Sequence, residues 1–179
     1  MNAAPIFKKK IKFTRFLLFI LILVFLILIL RKAAIYIFFT IITGLFVYLN
    51  YHIRFPIDLS PVLFFSLIIS REYSFWLSVI FIILSGIIPM IFAGGTFDHT
   101  TLFYAALVVF INFISSILSK QPLLYVLIPL IIIHHIIAGI GSITFGTNPY
   151  KELINFFSKI GIDLFYLTTL SDLVIGLIR

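Results

Sequence analysis

Over most of this chain the hydrophobic positions do not recur at a spacing; they run unbroken. "FLLFILILVFLILIL" (Phe16–Leu30) is wholly apolar, and Ala33–Leu49 follows after only Arg31 and Lys32. Further runs cover Pro61–Ser70, Ser74–Phe92, Leu102–Leu118, Pro122–Ile143 and Leu153–Ile178, the last being the most polar. Continuous runs without period-two alternation predict helices solvated by lipid, where a strand could survive only in a closed barrel. Phe16–Leu30 extends to roughly 22 Å and crosses a bilayer only if Lys12 and Arg31 snorkel at its ends. It resembles a secretion signal behind a basic stretch, but Arg31-Lys32 stands where small cleavage-site residues belong. The run is therefore expected to stay in the mature protein.

The polar interruptions alternate in kind. "NYHIRFPIDLS", "AGGTFDHTT" and "FGTNPYKE" are long and rich in turn formers, whereas "REYS" and "SKQ" are brief. Successive links emerge on opposite sides of a membrane. The three long links are thus expected on one face, and the two short ones on the other with Arg179. Pro61–Ser70 gives only about 15 Å of helix, half a hydrocarbon core. Such a piece needs protein or a cavity around its end, because exposed backbone at membrane depth is too costly. Ser60 is the expected N-cap and Pro61 the first helical residue. A half-depth helix beneath a long link predicts a hollow open to one face.

Composition excludes a soluble fold. The chain is 63% hydrophobic and 11% charged, with mean hydropathy +1.27, against about 25% charged residues in soluble domains. Lipid is its first partner. The net charge of +7 does not predict nucleic-acid binding. Lys8, Lys9, Lys10, Lys12 and Arg15 crowd before an apolar run and read as a cytoplasmic anchor facing anionic lipid. If Phe16–Leu30 does not cross, Arg31, Lys32, Arg71, Lys120 and Arg179 join them inside, leaving Arg54 and Lys151 outside. If it crosses, the long links turn cytoplasmic. The preferred organisation is a basic N-terminus with an apolar anchor helix (1–32), then a polytopic domain (33–179) in the cytoplasmic membrane. There is no cysteine, so disulfides and thiolate metal sites are excluded.

"FPIDLSPVLFFSLIISREYSFWLSVIFIILSGIIPMIF" resembles the second and third helices of energy-coupling-factor transporter S components. Ile57, Asp58, Leu59, Ser60 and Pro61 stand for the opening of the short helix. The layout is also similar to the rod-shape-determining membrane protein MreD. The resemblance implies an all-α, six-helix bundle over roughly Ala33–Arg179, with the N-terminal apolar helix added. Two departures stand out. Ser70-Arg71-Glu72-Tyr73-Ser74 replaces a Gly-Pro-x-x-Gly-like turn. Thr40-x-x-x-Gly44 replaces the Ala-x-x-x-Ala stripe on which S components dock a coupling subunit.

Ionisable groups inside lipid are the candidate site. Asn155, Lys159, Asp163 and Tyr166 share one helical face, and Lys159 is expected to pair with Asp163. The face either lines a polar seam or contacts a ligand. His134 and His135 point about 100° apart and do not chelate one ion; each is expected to hydrogen-bond a neighbouring helix or contact ligand. Asp98-His99 reads as a turn capping the helix from Leu102, with ligand contact as the alternative. Asp58 completes the ligand-binding set. Thr40, Gly44, Ser85 and Gly86 read as helix-packing residues, as do Asn112, Ser115 and Ser116. Pro89 frees a carbonyl one turn earlier. Neither a catalytic triad, a metal triad nor a phosphate loop is present in the sequence, so neither enzyme activity nor a cofactor is expected. The resemblance implies a small-molecule-binding transporter subunit driven by a coupling membrane subunit and ATPases. The alternative is an MreD-like scaffold for cell-envelope assembly proteins, with no solute.

Overall fold

The computed structural model describes residues 4–53 and 58–179; residues 1–3 and 54–57, and the side chains of 4–19 and 21–29, fall outside the description. Helix α1 runs unbroken from Ala4 to Ile53. The expected break at Arg31-Lys32 is absent, since arginine and lysine are both good helix formers and no glycine or proline intervenes. Contacts within the chain group residues 1–37 and 38–179 as two compact units. Whether Phe16–Leu30 crosses a bilayer lies outside the described residues.

Within residues 38–179, α1 is followed by α2 (Val62–Glu72), α3 (Phe75–Phe81), a π-helical segment (Ile82–Ile87), α4 (Ile88–Phe92), α5 (His99–Ile117), α6 (Leu123–Thr144) and α7 (Pro149–Ile178). No strand occurs among the described residues. Among the described residues, five stretches are long and apolar enough to cross a bilayer: Leu30–Ile53, Phe75–Phe92, His99–Ile117, Leu123–Thr144 and Pro149–Ile178. The chain is an all-helical, multi-pass membrane protein.

The short helix α2 is the core. Leu63 through Ser70 are all buried, and Phe64, Leu67, Ile68 and Ile69 have no exposed surface. A helix apolar on every side buries every side when other helices surround it. Phe65 stacks on Phe39 of α1 with ring centroids 4.5 Å apart. Ser66 accepts a 3.0 Å hydrogen bond from Asn112 Nδ2 of α5. The cap differs from expectation: Pro61 takes the N-cap place and no side chain caps α2. The Ser60 amide instead donates to Asp58 Oδ1 at 2.9 Å, a local Asx-type turn that competes with capping.

The two ends of the bundle are built differently. At one, Arg71 donates to the carbonyls of Leu118 (3.2 Å), Ser119 (3.1 Å) and Gln121 (2.5 Å), tying α2 to the C-cap of α5 and the link that follows it. Beside it Arg179 grips Glu72 through two hydrogen bonds of 3.0 and 2.9 Å. The short links and the C-terminus therefore meet. At the other end α4 and α6 close on glycines with left-handed backbone, Gly94 (φ 87°) and Gly146 (φ 93°). In both, the next residue's amide returns to the third-last helical carbonyl, Gly95 to Met90 and Thr147 to Ser142. Asp98 then caps α5, which begins at His99 and not Leu102, and Asn148 caps α7, which begins at Pro149 and not Leu153.

The π turn precedes Pro89, whose missing amide would orphan the Ser85 carbonyl in a regular helix. Two glycines seat this bulge. A Cβ on Gly44 would lie 3.2 Å from the Pro89 ring, and one on Gly86 would lie 3.6 Å from Val62. The bulge is thereby packed between α1 and α2.

Candidate functional site

Between the helix ends on the long-link side lies a cavity of about 620 Å³. Its walls come from the last turns of α1, the start of α2, the π segment, and the facing portions of α5, α6 and α7. Helix α7 supplies Asn155, Lys159 and Asp163, and α6 supplies His134 and His135. Asp58 enters from the link before α2. Residues sequence reasoning left out also line it, including Asn50, Tyr51, Tyr104 and Glu152. Asn50, Tyr51 and Glu152 belong to, or directly follow, the long polar links, and that signal was available. Tyr104 sits mid-run on α5 and gave none.

The expected pairing along α7 is not what forms. Lys159 pairs with Asp58, and Asp163 pairs with His135, whose Nε2 lies 2.7 Å from Oδ2. Two residues one turn apart on a helix reach each other only at the expense of cross-helix partners. Here both cross-helix partners exist, and each joins α7 to a different element. Tyr166, on the same face, donates to the Leu59 carbonyl at 2.9 Å and lies outside the wall. Thus α7 holds the link before α2 twice, through Lys159 and through Tyr166.

His134 and His135 do diverge. Their rings are nearly perpendicular with centroids 5.0 Å apart, both are buried, and only His135 bonds a neighbouring helix. Asp98 and His99 are not in the wall. Asp98 accepts from the Thr101 amide at 2.9 Å, and His99 meets Phe145 edge-on at 5.2 Å. Among the described residues no group of histidine and carboxylate side chains could hold a metal ion.

Polar groups at the cavity are only partly matched. Ser142 donates to Glu152 Oε2 at 2.8 Å, tying α6 to the first turn of α7. Asp163 Oδ1, His134 Nδ1 and Asn50 Oδ1 are buried without a partner. Burial opposes ionisation of Asp58, yet the Lys159 charge and the hydrogen bonds from Lys159 and Ser60 outweigh it. They hold the carboxyl below its usual value of 3.8.

That depressed value fixes a direction of pH dependence. Asp58 contributes stability fully above its unfolded-state value, and the contribution is lost as pH falls through the lower folded-state value. Asp58→Asn is expected to flatten the acid limb of thermal stability, measured in detergent from about pH 7 down to about pH 3. An acid limb as steep as the parent's would assign that sensitivity to other carboxyls.

Comparison of the chain with known protein families, with curated proteins and with solved structures found no match. The class rests on the molecule itself: a polytopic helical membrane protein with a polar cavity among its helices.

Proposed function

We propose that this protein is a membrane-embedded receptor for a small solute, organised like an S component and resident in the cytoplasmic membrane. The observation that carries the reading is the cavity of about 620 Å³, within the roughly 300–1,000 Å³ of small-molecule sites. It combines apolar walls with convergent ionisable groups, the usual composition of a binding pocket. The sequence carries no phosphate-cradling glycine loop, so transport on this reading uses a separate ATP-driven module. The position that the resemblance assigns to docking such a module, Gly44, faces Pro89 of this chain. On this reading a coupling subunit docks without contact at Gly44, while Thr40 of the same stripe is only half-buried.

Purification in mild detergent followed by mass spectrometry of the extracted small molecules tests the reading. A compound retained in stoichiometric amount, and lost when His134 is replaced by phenylalanine, is the expected result. A consistently empty protein that co-purifies with cell-envelope proteins would instead favour the scaffold role of MreD-like proteins.

A further inference from the structure

We infer that the cavity selects a small organic cation, bound through an ammonium or similar cationic N–H group at Asp163; the inference rests on the binding role proposed above. Asp163 is 1% exposed, lines the cavity, and has Oδ2 engaged by His135 while Oδ1 has no partner. Asn50 presents a second unfilled oxygen at the same cavity. Buried acceptors without donors are the exception in folded proteins and are satisfied when a ligand supplies the missing hydrogens.

Charge narrows the donor. Three carboxyls (Asp58, Glu152 and Asp163) line the space against two ammonium groups, Lys151 and Lys159. Carboxyl side chains thus outnumber ammonium side chains by one in the lining. Lys159 is committed to Asp58, and Lys151 is exposed, where water screens it. Of the two remaining carboxyls, Glu152 is partly exposed and Asp163 is 1% exposed, and an unmatched charge is most costly where burial is deepest. A neutral hydroxyl would fill the oxygen but leave the excess. An anion would add to it. A cation corrects both, and Leu63, Ile82, Met90 and Phe156 offer its carbon skeleton apolar contact.

Three probes with one skeleton and different charges separate these cases: 2-phenylethylamine, 2-phenylethanol and phenylacetate. They are titrated into the full chain in lipid nanodiscs, with empty nanodiscs correcting for partition. The amine is expected to bind at least about tenfold more tightly than the alcohol, with Asp163→Asn erasing that preference, as expected for one charge-assisted hydrogen bond. Equal or tighter binding of the alcohol or of phenylacetate overturns the cation assignment, as does an amine preference that survives in Asp163→Asn. Either result leaves the solute-binding role standing. If none of the three binds, the charge of the compound retained on purification decides: a cation supports the assignment, and a neutral or anionic compound overturns it. No probe bound and no compound retained overturns both readings. Should Asp163→Asn fail to fold, the ranking in the parent protein decides alone.

Discussion

His135→Leu is expected to lower stability by about 3–5 kcal/mol, the cost of breaking a buried pair by removing one partner. Asp163 is 1% exposed, and its Oδ1 already lacks a partner. Leucine at position 135 would take away the contact to Oδ2 as well, leaving a carboxyl with no hydrogen bond away from water. The double replacement His135→Leu/Asp163→Leu removes both polar groups together. It is expected to regain most of the loss, because replacing both partners of a buried hydrogen bond by apolar groups is often nearly neutral or stabilising. Unfolding by a denaturing detergent titrated into mild-detergent micelles, run on all four proteins of the cycle, isolates the coupling between the two side chains. A single replacement costing under about 1 kcal/mol would mean that Asp163 finds another partner or keeps a proton without penalty.

Phe64→Ala is expected to be nearly as damaging, at about 3 kcal/mol, the low end for emptying an aromatic site in a packed core. In lipid the unfolded helix stays in hydrocarbon, so little transfer energy is lost; what is lost is dispersion contact around an empty space. Phe64 has no exposed surface and meets Phe65 and Tyr166 with ring centroids 4.9 and 5.9 Å away. Phe92, 80% exposed, has the same chemistry outside the packed core. Phe92→Ala should change stability by no more than about 0.5 kcal/mol. Equal losses at the two positions, measured in the same unfolding assay, would contradict the placement of α2 as the core of the bundle.

The sequence by itself determined the helical membrane class, because uninterrupted apolar runs leave no alternative once lipid is the solvent. It also determined where most links fall and that one helix is too short to cross. Proline, glycine and asparagine act locally, and their effects are readable without neighbours. The common face of Asn155, Lys159 and Asp163 was legible for the same reason: helical periodicity is a property of one element. What the tertiary structure decided was pairing. Lys159 and Asp163 look like partners along one helix, yet each finds a better one across a gap, Asp58 and His135. Likewise, the Ser60 cap gave way to the Asx turn at Asp58. Nor could the sequence reveal that Arg31-Lys32 lies inside a continuous helix, since two charges end an apolar run without ending a hydrogen-bond ladder.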